Sequence, residues 1–140
     1  MNRCTAEREP WGLRIRLDGA PALRERDEFA ASVEALCLEL SRTGRPWVSL
    51  IEIGAFHADG FRPAVVTDIM RLARDCGHER CAILMQDWAW ARAFADAMLA
   101  AKADDQVRIF VVPRTCSVPY TQAHRWMFEG AVVPLLSSAA

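Results

Sequence analysis

Lysine is nearly absent from this chain: Lys102 is the one lysine among 17 basic residues, and the arginines that make up the rest are interleaved with 18 acidic residues to a net charge of -1. Binding nucleic acid without sequence preference needs a basic face that displaces counterions from the phosphates. No such stripe is present, so no nucleic-acid partner is expected. Long apolar runs are lacking as well; nothing approaches the roughly 18 consecutive apolar residues of a membrane helix, and no membrane span is expected. The stretch Met1 to Glu9 alternates charged and small side chains without an apolar centre, so it does not read as a secretory signal. These absences together predict a cytoplasmic protein.

There is no CxxC pair. The five cysteines, Cys4, Cys37, Cys76, Cys81 and Cys116, are an odd number scattered along the chain, which predicts free thiols in a reducing compartment. The phosphate-binding glycine patterns GxGxxG and GxxxxGK and the nucleophile pattern GxSxG are missing too, which removes the commonest nucleotide-binding and hydrolase readings. No cofactor is indicated.

What is present is a globular composition, 52% apolar and 25% charged over 140 residues, enough for one domain spanning residues 1–140 with a sizeable core. The most informative stretch runs from Arg80 to Ala101. Cys81, Ala82, Ile83, Leu84 and Met85 are apolar without alternation, the pattern of a strand covered on both faces in a parallel sheet. Asp87 is placed to cap a helix whose apolar positions Ala91, Phe94, Ala95 and Met98 recur at helical spacing. A further strand is predicted at Val107 to Val112, completing a strand-helix-strand crossover.

Towards the N-terminus, Arg3 to Glu9 and Trp11 to Leu17 flank Pro10 and Gly12. Leu13, Ile15 and Leu17 alternate with Arg14 and Arg16, which predicts an edge hairpin with one wet face. Phe29, Val33, Leu36, Cys37 and Leu40 mark a helical stripe stopped by Gly44. Pro46 to Ile53 reads as a strand. After it Phe61, Val65, Ile69, Leu72, Ala73 and Cys76 predict a second helix, with Pro63 in its first turn and Gly77 at its end. Ser117 and Pro119 begin a last helix carrying Ala123, Trp126 and Met127. Ala131 to Ala140 reads as a loosely docked tail. The expected fold is α/β: a single mixed sheet of about five strands, an edge hairpin plus a parallel centre, with about four helices.

The order Arg80-Cys81-Ala82-Ile83-Leu84, Asp87-Trp88, Phe94, Val107-Arg108-Ile109-Phe110 and Ala123-x-x-Trp126-Met127 resembles the SpoIIAA-like proteins related to STAS domains, over roughly Trp11 to Phe128. The resemblance implies a mixed sheet with helices packed against it, and a role in binding rather than catalysis. In the anti-sigma antagonist branch of that family, a serine whose phosphorylation switches partner binding stands where this chain has Ala58, Asp59 and Gly60. Asp59 would then be a fixed charge in place of a switchable one. The distant likeness of the family to lipid-binding α/β domains also implies, as an alternative, a carrier or sensor of a small apolar ligand. A homodimer is compatible with either reading.

The candidate binding residues follow from position. The loop from Gly54 to Arg62 leaves the carboxyl end of a central strand and opens a helix, the usual place for a site in open α/β sheets. It carries His57, Asp59, Gly60 and Arg62. Asp59 also suits a helix cap, and His57 has no identifiable nucleophile or substrate group to act on. Trp88 and Trp90 are two residues apart, about 200° around one helix, so they cannot both face the sheet. One of them is expected to line a ligand pocket, to meet a partner or to lie over a neighbouring loop. Cys76, His78 and Cys81 offer ligand types at short spacing, but the two cysteines fall on apolar core patterns and no metal site is expected. Cys116 and His124 lack a third group or an oxyanion donor. No catalytic set is recognised, and a non-enzymatic binding or interaction module is the reading the sequence supports best.

Overall fold

A computed structural model describes residues 3–18, 23–54, 63–112 and 121–138. Strands β1 (Arg3–Glu9) and β2 (Gly12–Asp18) form the expected antiparallel hairpin, and helix α1 (Leu23–Ser41) leads to β3 (Trp47–Ile53). Then come α2 (Pro63–Asp75), β4 (His78–Met85), α3 (Trp88–Ala100) and β5 (Val107–Val111). The chain closes with a short helix α4 (Thr121–His124), continued by a π-helical turn at Arg125–Glu129, and with β6 (Leu136–Ser138). The architecture is α/β with one mixed sheet, and its strand order β1-β2-β3-β4-β5-β6 is the order of the chain. Every pair after the hairpin is parallel.

The sheet has six strands where five are expected. The additional one, β6, lies in the segment read as a loosely docked tail, where Leu136, Ser137 and Ser138 pair with Ile109, Phe110 and Val111. Three residues with two serines carry no apolar alternation, so nothing in their composition marks a strand.

Alternation along the strands divides the apolar residues into two layers. Leu13, Ile15 and Leu17 of β2, Ile51 and Ile53 of β3, Cys81, Ile83 and Met85 of β4 and Val107, Ile109 and Val111 of β5 share one face. Helices α1, α2 and α3 all cover it, through Phe29, Val33, Cys37 and Leu40, Met70, Ala73 and Cys76, and Ala91, Phe94, Ala95 and Met98 respectively. The opposite face presents Val48, Leu50, Ala82, Leu84 and Phe110 to Ala123, Trp126 and Met127 of the last helix. The first three crossovers therefore share one hand. The last adds its strand in the same direction but passes the opposite face, so it has the other hand, against the usual rule for such units. Its helix packs over β3 and β4 as well as over Phe110 of β5.

Local chemistry explains where the elements stop and turn. Gly12, with φ +150°, passes so close to β3 that a Cβ there would sit 1.8 Å from the carbonyl oxygen of Val48. No other residue type fits. Gly77, with φ +96°, turns the end of α2 into β4, and its own carbonyl accepts the Trp47 N–H at 3.2 Å. The stripe of α2 is rotated from the expected one: Thr67, Met70, Ala73 and Cys76 are buried, while Ile69 and Leu72 are half-buried at its flank. A helix wedged between two others is apolar over a wide arc, so its deepest line is set by its neighbours rather than by its own period. Ser117 and Pro119 lie outside the described residues.

Two arginines and an indole fasten the second layer. Arg80 Nε donates to the Met127 carbonyl at 2.9 Å, Arg108 Nε to the Val133 carbonyl at 2.8 Å, and Trp126 Nε1 to the Cys81 carbonyl at 3.0 Å. The Arg108 guanidinium also lies over the Trp126 ring, 4.3 Å from its centroid, a cation–π contact. Leu84 sits at the centre of this layer. Leu84→Ala is expected to destabilise the protein by roughly 2 to 5 kcal/mol in urea unfolding, since the cavity lies between two rigid layers; an effect below about half a kcal/mol would place Leu84 outside the core.

Candidate functional site

Parallel strands β3, β4 and β5 all end at one edge of the sheet, and the expected site lies there. His57, Asp59, Gly60 and Arg62 fall outside the described residues. The neighbouring helix start is described in full. Asp87, in extended conformation (φ -120°, ψ 125°), accepts the Trp90 N–H through Oδ1 at 3.0 Å, and its carbonyl accepts the Ala91 N–H at 3.0 Å. This cap fixes the first turn of α3 and with it two indoles on different sides. Trp90 is half-buried and packs against the main core, whereas Trp88 is 48% exposed. The carboxyl edge thus carries one exposed indole on a capped helix start. An indole so placed gives contact area without much loss of side-chain freedom, which suits a binding surface.

A second cluster is hidden inside. Register sets Ser49 of β3 opposite Cys81 of β4, and the Ser49 Oγ lies 2.8 Å from the Nε2 of His78. Ser49, His78 and Cys81 are all buried, and the Trp47 ring meets the His78 ring edge-on at 4.9 Å. Cysteine, serine and histidine in sequence resemble a nucleophile and its base, but burial removes the chemistry. It pushes the Cys81 thiol up to about 12, against a smaller downward effect of its hydrogen bond with Ser49, and it pulls His78 down to about 4. The thiol stays protonated, the imidazole stays neutral, and substrate has no access. The cluster is a polar contact between strands made through the Ser49 Oγ and the His78 Nε2, while the buried Nδ1 of His78 has no hydrogen-bond partner among the described residues. Sequence reading weighed His78 only as a metal ligand and passed over Ser49. The available signal was Ser49 as the one polar residue in the apolar run from Trp47 to Ile51.

A third arrangement, also missed, lies on the opposite face between the hairpin and the last helix. Glu9, Trp11, Arg14, Leu50 and His124 line an open groove of about 300 Å³. Phe128, itself exposed, meets Trp11 and His124 edge-on at 5.7 Å each. Arg14 is held by Glu52 at 2.7 Å, with Arg16 at 3.6 Å from the same carboxylate. His124 and Phe128 are four residues apart, the spacing that brings side chains together on one helix face, whereas the meeting of Phe128 with Trp11 joins distant parts of the chain.

Among the described residues no group of three His, Cys, Asp or Glu side chains is placed to hold a metal ion. The four described cysteines are free thiols. No helix of the described residues is long and apolar enough to cross a membrane. Comparison of the chain with protein-family models, with curated proteins and with solved structures gives no match. Function therefore rests on the geometry alone.

Burial of His78 has a measurable consequence. Its pKa is lowered from 6.5 to about 4 in the folded chain, so folding favours the neutral ring. The stability this contributes is complete above about pH 6.5 and is lost as the pH falls towards 4, with a slope of up to about 1.4 kcal/mol per pH unit. Urea unfolding between pH 7 and pH 4.5 is expected to show that slope, and His78→Gln to remove it. An identical pH profile for the two proteins would exclude a buried neutral His78.

Proposed function

We propose that this protein is a non-enzymatic interaction module, similar in organisation to the SpoIIAA-like, STAS-related proteins, that receives a protein partner at the carboxyl edge of its parallel strands. The observation that carries the reading is Trp88, 48% exposed on a helix start that Asp87 fixes. Tryptophan is the side chain most often found as an anchor in interfaces, and an anchor works best when it is already held in position. Two further points support it. The thiol and imidazole that resemble catalytic groups, Cys81 and His78, are sealed in the core. The grooves around the described hairpin are lined by carboxylates and an arginine, Glu7, Glu25 and Glu28 in one and Glu9 and Arg14 in the other, which suit polar contacts better than a small apolar ligand.

The test places a photo-cross-linking amino acid at position 88 in one variant and at position 99 in another. Leu99 is equally exposed, at 53%, but lies at the far end of α3. In cells, position 88 is expected to yield a discrete cross-linked species that position 99 does not. Equal labelling at both positions would end the proposal. A copurified lipid seen by native mass spectrometry would favour the apolar-ligand alternative instead.

The same reading makes the charge at Asp59 permanent. Incubation with a serine kinase of the anti-sigma type is expected to leave the intact mass unchanged, because the loop from Ala55 to Arg62 contains no hydroxyl to modify. A stoichiometric phosphate near this loop would overturn that part.

A further inference from the structure

The two lateral edges of the sheet are unlike. β6 closes one side with three residues, whereas β1 closes the other with seven, in unbroken register with β2 from Arg3 opposite Asp18 to Glu9 opposite Gly12. Among the described residues no strand pairs with the outer side of β1. Exposed edges are normally blunted by shortness, bulges, proline or charge that repels a second strand. β1 has none of the first three, and its charges are of both signs.

The order of those signs is decisive. When the strand is turned antiparallel to itself about Ala6, Thr5 stands opposite Glu7, Cys4 opposite Arg8, and Arg3 opposite Glu9. Opposite charges meet at both ends, and this is the two-fold register that aligns all seven residues. Glu7 and Glu9 take part in no ion pair among the described residues, while Arg8 is already paired with Glu39 of α1. Ala6, at the centre, has a side chain too small to obstruct approach. On its face an open groove of about 520 Å³, lined by Cys4, Glu25, Phe29 and Ser32 among others, leaves space between the strand and α1.

We propose that β1 is the dimer edge of this protein: a second copy docks antiparallel about Ala6 and joins the two six-stranded sheets into one, in the register that sets the basic position 3 opposite the acidic position 9 at both ends. Backbone hydrogen bonds supply the attraction, and the charge order supplies the choice of partner and alignment. The surface is separate from the edge that carries Trp88, so the dimer stands or falls independently of the proposed partner site.

Sedimentation equilibrium of the full chain at low salt tests this. The wild-type chain is expected to dimerise at micromolar concentration. Arg3→Glu and Glu9→Arg are each expected to weaken self-association about tenfold or more, because each homodimer then carries two like-charge contacts. An equimolar mixture of the two variants restores dimers, since both contacts become attractive again in the mixed pair. A monomeric wild type overturns the proposal. So do single variants that dimerise normally, and so does a mixture that stays monomeric. If circular dichroism shows that a charge reversal disturbs the fold, Arg3→Gln and Glu9→Gln take its place and must each weaken the dimer.

Discussion

The run from Cys81 to Met85 has to be dry on both sides, and the two layers of the molecule are arranged to meet that requirement. Its odd-numbered side chains enter the main core beneath three helices, and its even-numbered ones enter a smaller core beneath the last. A strand placed at the centre of a parallel sheet cannot trade either face for solvent. Its neighbours obey the same condition more loosely: Glu52 of β3 and Arg108 of β5 are only half-buried, and each spends its charge on a partner close by.

Polar groups are used inside this frame where the strands leave them no exit. Ser49 pairs with the Nε2 of His78 across neighbouring strands, and the indole of Trp47 donates to the Cys76 carbonyl at 2.8 Å. The second layer is attached by long side chains that reach from the sheet to carbonyls of the C-terminal segment. Arg80 serves a carbonyl of the π-helical turn, where the wider backbone spacing disturbs the normal helical pairing. An arginine reaches such a group without a strict side-chain register, which a short apolar contact would demand.

How far the sequence spoke for itself depended on whether a feature was local. β4, the Asp87 cap and the stripe of α3 were legible because a few adjacent letters contain the whole signal. The stripe of α1 was legible because that helix touches the sheet along one narrow line. The depth of Met70 and Thr67 was not, since it is decided by the helices on either side. β6 was illegible because three residues borrow their strand character from β5. The pairing of Ser49 with His78 joins residues 29 positions apart and exists only once β3 and β4 are in register. Of the expected site residues, Trp88 and Trp90 are both at the carboxyl edge, with the exposed one identifiable only when the cap is in place.

Because strand order follows chain order, the sheet can be assembled progressively as the polypeptide leaves the ribosome, each strand finding the previous one already present. The helices of the main face arrive in step with their strands. The opposite face does not share that schedule: Val48, Leu50, Leu84 and Phe110 are all synthesised before Ala123, Trp126 and Met127, which cover them. For an interval the nascent chain therefore has one finished side and one bare apolar side. Any pause in translation between residues 112 and 121 prolongs the period in which that side can bind a chaperone or another unfinished chain.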